Sequence, residues 1–335
     1  MISCDVAAVV VTLKDSPRLH EAISSIKSSV THVNVLVICV INDPSVSGTW
    51  QRDGVRYVGA GMNLGWAGGV HAGLIDVDSK YVWAIQDDMI VDPHALEVLI
   101  RSLESNQALA SVRPLNVDAR GVVAASQQGN LANGNGRFVT RLPLRPTLAQ
   151  NLIPIKNEGY LASSGQLIRR EVWDALGGFD PWYYPWGHID VDFGQTLRTT
   201  GWQFQTVLEA RMTHQGQAST TSNFRSLCMV RHDYLYDAKW DPSVITHENA
   251  AIPVSAFIVQ ESRNGAAKPR STDLESLRNV TAVAAADLAL WMSRAMSDEL
   301  SYLSLRQLVL NSSTRRSVGK RAFAALRRKV KANRT

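Results

Sequence analysis

Four groups of residues carry side chains or backbone freedom that chemistry can use, and they follow one another along the 335 residues. The first is Asn63-Leu64-Gly65-Trp66-Ala67-Gly68-Gly69-Val70-His71-Ala72-Gly73. Its glycines would let backbone approach a ligand closely, and a helix starting there would favour an anion such as a diphosphate. Tight packing of a helix on a strand asks for the same glycines. The second group is Gln86-Asp87-Asp88. Adjacent carboxylates repel unless a cation or hydrogen-bond donors stabilise them, and oxygen ligands suit Mg²⁺ or Mn²⁺ with positions left over for substrate phosphates. A turn followed by a helix cap is the plainer use of the same acids. The third group runs Trp182-Tyr183-Tyr184-Pro185-Trp186-Gly187-His188-Ile189-Asp190-Val191-Asp192. Aromatic faces pack on the apolar faces of sugars, and an aromatic cleft raises the pKa of a carboxylate by desolvation, so Asp190 and Asp192 are the candidate general bases. An aromatic seal over a loop, with both acids capping the next helix, is the structural alternative. The fourth is His214, which suits a divalent transition metal as a neutral imidazole and serves equally as a hydrogen-bonded structural residue.

These groups sit where an alternating pattern of elements would place them. Residues 6–13 read as a continuous buried strand, followed by a turn at residues 14–17 and a helix through Leu19, Ala22, Ile23 and Ile26. A second buried strand, 33–41, ends in the turn Asn42-Asp43-Pro44-Ser45. Residues 55–58 form a third strand, the glycine segment leads into a helix, and 81–86 form a fourth strand that ends on the paired acids. Strands alternating with helices predict a parallel sheet with helices on both faces, whose ligands bind beyond the carboxyl ends of the strands. Residues 115–158 read as loops and short strands at the sheet edge. Residues 164–176 begin as a strand and become a helix stopped by Gly177-Gly178; residues 190–200 are helical and 203–208 a strand. The polar stretch 261–271 reads as a linker, and 272–296 as a helix opened by Thr272 with Glu275 in capping-box spacing.

The composition is that of a folded chain, 45% apolar and 19% charged. Three scattered cysteines (Cys4, Cys39, Cys228) make neither a disulfide framework nor a zinc cluster, which predicts a reduced, cytoplasmic protein. No apolar run reaches transmembrane length, and the N-terminus lacks the pattern of a signal peptide. The net charge of +5 is uneven: residues 315–335 hold nine basic side chains and no acid, which leaves residues 1–314 at −4. In that tail Val318, Ala322, Leu326 and Val330 recur every four residues. A basic amphipathic helix of this kind suits an anionic membrane surface, and a solvated terminus would look the same. The acidic body argues against nucleic acid as a partner.

In order and spacing the four groups resemble a family-2 glycosyltransferase of the GT-A fold. The resemblance is carried by AVVVTLKDSPRLHEAISSI, NLGWAGGVHAG, IQDDMIVDPHALEVLI, SSGQLIRREVWDALGGFDPWYYPWGHIDVDFGQTLRTTGW and EARMTHQGQAS, which together span roughly residues 7–220. Among family members it is most similar to rhamnosyl- and galactofuranosyltransferases of bacterial cell-wall and polysaccharide assembly. The resemblance implies an α/β GT-A domain over residues 1–245 and a helical extension with a basic tail over 246–335. It implies an inverting transfer from a UDP- or dTDP-linked sugar to a hydroxyl of a glycan or lipid-linked acceptor. Asp190 then matches the base, and Asp88, the last position of the family's DxD motif, matches a ligand of Mg²⁺ or Mn²⁺ together with His214. Donor contacts are implied for Thr12, Asn42, Asn63, Gly65, Trp66, Gln86 and Asp87, and an acceptor side for Trp182, Tyr183, Tyr184, Trp186, His188 and Asp192. A cytoplasmic protein, peripheral on the inner face of the plasma membrane through its tail, follows from the same likeness. The sequence departs from the pattern at Gln86, where many members carry the first acid of the metal motif, at Asn42, where an Asp often reads the nucleotide base, and at Ile189, usually Glu. Two rival readings belong to other classes. A nucleotidyltransferase would need a basic triphosphate cradle in the first strand–helix turn, where only Lys14 and Arg18 stand. A catalytically inactive sugar-binding scaffold would have Gln86 and Asn42 as its hints.

Overall fold

A computed structural model describes residues 1–118, 122–123, 130–132, 138–140, 159–215, 222–240, 256–265 and 273–296. The chain runs β1 (Ile2–Thr12), α1 (Pro17–Lys27), β2 (Val35–Ile41), β3 (Ser47–Arg52), β4 (Val55–Ala60), α2 (Gly65–Gly73), β5 (Val77–Gln86), β6 (Met89–Val91), α3 (Ala95–Ser105) and β7 (Leu109–Val117). It continues through a small hairpin of β8 (Asn130–Ala132) and β9 (Phe138–Thr140), then β10 (Leu167–Arg169), α4 (Arg170–Leu176), a 3₁₀ turn (Pro181–Tyr183), α5 (Ile189–Thr199), β11 (Gln203–His214), α6 (Ser222–Trp240), α7 (Ala256–Gly265) and α8 (Leu274–Met296).

Nine strands make one sheet in the order β3-β4-β2-β1-β5-β10-β7-β11-β6. The strands read from the apolar runs, β4, β2, β1 and β5, are parallel neighbours, and β7 runs parallel to β11. The sheet is nevertheless mixed. Three-residue β10 wedges antiparallel between β5 and β7, and antiparallel β3 and β6 close the two edges. β3 escapes an apolar-run reading because all six of its residues are exposed, and β7 because Arg113 and Pro114 interrupt an otherwise apolar stretch.

Period-two alternation divides the core. Ala7, Val9 and Val11 of β1 face the side covered by α2, α4, α5 and the C-terminal helices, whereas Val6, Ala8 and Val10 face α1 and α3. Both faces are therefore covered, as the continuous apolar runs imply. Helix α1 begins where Ser16 accepts from Leu19 N at 3.2 Å and Pro17 takes the first turn.

The first part of the stretch 261–271 differs from its linker reading. Residues 261–265 complete α7, and Ser262 is fully buried, donating to Asp180 Oδ2 at 2.6 Å. A polar run is poor evidence of a linker when its polar groups have buried partners. At the start of helix α8, Asp273 accepts from Ser276 N at 2.7 Å. Helices α7 and α8 pack on the sheet domain: Leu277, Ala284 and Trp291 are buried in its core, and Arg278 Nε donates to Ala60 O at 2.7 Å. Among the described residues no helix is long and apolar enough to cross a membrane. Most of residues 115–158, residues 266–272 and the basic tail lie outside the described residues.

Candidate active site

The chain leaves β1 toward β2 and β4 on one side and returns to β5 on the other, so β1 and β5 flank a topological switch point. Register pairs Val11 with Gln86, which brings the next residues of both strands together. Thr12 Oγ1 lies 2.5 Å from Asp87 Oδ2 and 2.8 Å from Lys14 O. Burial pushes the Asp87 carboxyl up and the neighbouring Asp88 adds to it, while the Thr12 hydroxyl and Arg18 work in the opposite direction. Gln86 sits at the rim, its backbone N–H donating to Ser164 Oγ at 3.2 Å.

The short strand β6 explains how Asp88 meets a residue 126 positions away. It pairs antiparallel with the end of β11, with His214 opposite Met89, and places His214 Nε2 2.9 Å from Asp88 Oδ2. The Gln215 N–H locks the same corner by donating to Asp88 O at 2.9 Å. Asp88 Oδ1 is buried without a hydrogen-bond partner. The bond to Asp88 raises the His214 pKa against the effect of burial. A carboxylate oxygen lacking a donor beside an imidazole is a donor set that fits a divalent cation. Among the described residues no group of three or more His, Cys, Asp or Glu side chains is arranged to hold a metal.

The glycine segment is built for packing along most of its length. A Cβ on Gly69 would stand 2.6 Å from Val11 Cγ1, and one on Gly73 would stand 2.5 Å from Val9 Cγ1, so both glycines let α2 lie directly on β1. Gly65 is different: its φ is +69°, and a Cβ would stand 2.6 Å from Pro185 O. Asn63 Oδ1 accepts from Gly65 N at 2.8 Å, and Trp66 N donates to Pro185 O at 2.8 Å, which clips this turn to the aromatic loop. Asn42 is buried and holds the turn from below, donating from Nδ2 to Gly65 O at 2.9 Å and accepting from Leu64 N at 3.2 Å. Its amide is thus engaged at both ends by backbone. Exposed Asp43 caps its own turn, accepting from Ser45 N at 2.8 Å. Trp66 is buried, with Nε1 lacking a partner.

The aromatic run divides in two. Trp182 and Tyr183 are core side chains, Tyr183 with no exposed surface. Tyr184 and Trp186 keep part of their surface, and the Arg225 guanidinium lies 5.6 Å over the Trp186 ring. The two aspartates that follow divide as well. Asp190, in the first turn of α5, keeps some exposed surface; burial pushes its carboxyl up, and His188, its local backbone N–H groups and Arg113 pull it down. Asp192 is closed off. Its Oδ2 accepts from Lys239 Nζ at 2.8 Å, and its Oδ1 accepts from Trp240 Nε1 at 2.7 Å and Tyr183 Oη at 3.2 Å. Lys239 also reaches Asp180 Oδ2 at 3.0 Å; burial opposes its charge, and the two carboxylates overcome that and raise its pKa. His188 is likewise inside, with Nε2 2.6 Å from Asp233 Oδ1.

Arg113 is the functional candidate that motif reading passes over. It is buried on β7, donates to Ser164 O at 3.0 Å and acts electrostatically on both Asp190 and His214. A lone arginine inside an apolar strand was its signal, since a guanidinium is almost never buried without partners.

The mycobacterial comparison is a partial one. Over 255 residues the chain is 27% identical to N-acetylglucosaminyl-diphospho-decaprenol L-rhamnosyltransferase of Mycobacterium tuberculosis, from strains CDC 1551 / Oshkosh and ATCC 25618 / H37Rv, covering 68% of this chain and 81% of the relative. Among solved structures, the crystal structure of GalNAc-T7 with UDP, GalNAc and Mn²⁺ superposes with a TM-score of 0.54 at 10% identity. That match covers 82% of this chain and 56% of the other, and it establishes the GT-A fold. The family profile described as "Glycosyltransferase like family 2" matches residues 4–229, well over half of the sequence and all four groups of candidate residues. The chain belongs to that family, and its reaction class is glycosyl transfer.

Proposed function

We propose that the protein moves a sugar from a UDP- or dTDP-linked donor to a hydroxyl of a glycan or lipid-linked acceptor, in one displacement that inverts the anomeric centre. Asp190 takes the proton of the acceptor hydroxyl as its oxygen bonds to the anomeric carbon. The bond from that carbon to the diphosphate breaks, and the nucleoside diphosphate leaves with the electron pair. Positioning carries much of such a reaction, because the transition state is oxocarbenium-like. A carboxylate whose proton affinity is raised by burial suits the base. Thr12, Asn63, Gly65, Trp66, Gln86 and Asp87 border the donor side; Tyr184 and Trp186 border the acceptor side.

The single observation that carries this reading is the Asp88–His214 contact at 2.9 Å, with Asp88 Oδ1 buried and lacking a hydrogen-bond partner, at the end of the sheet. These two residues would hold Mg²⁺ or Mn²⁺, and the chemistry such an ion supplies is neutralisation of charge on the departing diphosphate. The mycobacterial relative is named for an acceptor on decaprenol diphosphate, and the nine basic residues of 315–335 suit the anionic inner face of a membrane. Both support a lipid-linked acceptor and a peripheral, cytoplasmic position.

Thermal unfolding with UDP, dTDP and GDP, each with Mn²⁺ and with EDTA, tests the donor half. One nucleotide should stabilise the protein in Mn²⁺ by about 2.7 kcal/mol at a hundredfold excess over its Kd, and EDTA should remove the effect. No shift with any of them would put the inactive scaffold ahead. Asp190→Asn should abolish turnover with that shift intact, and preserved turnover would remove Asp190 as the base.

A further inference from the structure

His188 lies two residues before Asp190, and three features set it apart from a packing histidine. Its backbone is left-handed, with φ +57°, directly after Gly187 at φ +92°. Such a turn is uncommon for a residue with a side chain and persists where surrounding contacts impose it. Its carbonyl accepts from Asp192 N at 2.8 Å, so it closes the first turn of α5, the turn that carries Asp190. Its side chain is only 5% exposed, yet Nε2 meets Asp233 Oδ1 of α6 at 2.6 Å, a charge-assisted distance.

The ring's other neighbours lie on the 3₁₀ turn, α5 and α6. Tyr183 of the 3₁₀ turn stacks on it with 6.5 Å between centroids, and His232 and Tyr236 of α6 approach at 6.2 Å and 6.4 Å. Asp237 of α6 and Asp190 of α5 add negative charge. His232 is itself kept neutral, by burial first and by Arg231 and His188 after it, and its Nε2 is occupied 3.1 Å from Tyr184 O. Arg113 of β7 is the other cation facing Asp190. Burial alone would discharge His188; the Asp233, Asp190 and Asp237 carboxylates outweigh it and raise its pKa.

We propose that His188 and Asp233 are a positioning pair for Asp190: the ion pair pins the left-handed turn to α6 and keeps a positive charge behind the base. The inference rests on Asp190 being the base, and it gives His188 a role behind the site in place of contact with the acceptor. Asp190 sits in surroundings that favour its neutral form, and a base must be ionised before it can accept a proton. An imidazolium two residues away offsets that preference, while the turn it locks sets the direction of the carboxylate. Neither His188 nor Asp233 touches the reacting atoms.

The test is the pH profile of kcat in full-length enzyme carrying Asp233→Asn, His188→Asn, Asp233→Glu or Asp190→Asn, with donor-induced thermal stabilisation as the check on folding. Asn is chosen at 188 because it tolerates left-handed backbone. Loss of the imidazolium, directly in H188N and in D233N through loss of the carboxylate that keeps it charged against burial, lets the Asp190 pKa rise, so the acid limb should move up by about one pH unit in both. At neutral pH kcat should fall about tenfold or more with the donor KM unchanged, the signature of misplacement at the reacting centre. D233E keeps the charge and should return the limb toward its wild-type position. Turnover surviving in D190N would overturn the base assignment and this proposal with it. An inactive D190N together with an unmoved limb in H188N and D233N would overturn the pair's role and leave the base standing. If D233N does not fold, the H188N profile decides alone.

Discussion

Asp190 and Asp192 are the same residue type, two positions apart, and their environments differ. Asp192 accepts three hydrogen bonds, one of them from Lys239, whereas Asp190 keeps part of its surface and has a proton affinity raised by burial. Asp192→Asn removes one of the two carboxylates that hold Lys239, Asp180 remaining, and should cost about 1.5–3 kcal/mol in urea unfolding, the range for a hydrogen bond to a charged group. Asp190→Asn should leave the urea midpoint unchanged or raised. Histidines supply a pH signature of the fold. Burial holds His71 and His232 below the ordinary value of 6.5, so the unfolded chain binds the extra protons: their stability is complete above pH 6.5 and is lost as pH falls below it. His188 has the opposite sign. Its pKa is raised above 6.5, so its contribution is complete below that pH and is lost as pH rises through the folded value. Thermal stability should therefore peak near neutrality. His232→Gln, which keeps a donor for Tyr184 O, should flatten the acid side by up to about 1.4 kcal/mol per pH unit, measured as unfolding free energy at successive pH values.

At the scale of elements, the parts legible in the sequence were those with a simple period. β1, β2 and β5 showed as unbroken apolar runs because both faces of a central strand are buried, and α1 showed through its 3.6-residue stripe and its Ser16–Pro17 start. Exposed β3 and interrupted β7 have no such period, since they are fixed by ladder partners distant in sequence, whereas three-residue β10 shows as the strand that opens 164–176. The site was legible as residue types at intervals, but the contact between Asp88 and His214 depends on β6, a three-residue strand that no local pattern announces. The glycine segment carried two messages at once. Gly69 and Gly73 let α2 touch β1, and Gly65 lets the turn touch the aromatic loop. Gly73→Ala should destabilise the protein by about 1–3 kcal/mol through overpacking. Val9→Ala removes the opposing methyls, so the double variant should lose less than the two single losses added together, a coupling that a denaturant double-mutant cycle would measure. Exact additivity would mean that the helix shifts to make room.

At the scale of the whole molecule, the family profile ends at residue 229, yet the fold does not end there. Helix α8 supplies Asp287, 2.7 Å from Arg231, and Arg231 has no exposed surface; α7 supplies Ser262 to the Asp180 side of the lysine network. A chain stopped after Trp240 would leave a buried guanidinium without its carboxylate and uncover Leu277, Ala284 and Trp291's binding surface on α2 and the 3₁₀ turn. Such a chain should unfold or aggregate, whereas one stopped after Met296 keeps every described element. The two deletions therefore separate folding from location. Removing residues 297–335 takes away the nine basic side chains of the tail and leaves the acidic body, which anionic lipid repels. Under the peripheral reading proposed above, the shortened chain should retain the metal-dependent nucleotide shift and lose co-sedimentation with phosphatidylserine vesicles. The full chain's binding should weaken as salt rises, as screening of lysine and arginine requires. Equal vesicle binding by both chains would move the membrane contact off the tail and onto the folded body.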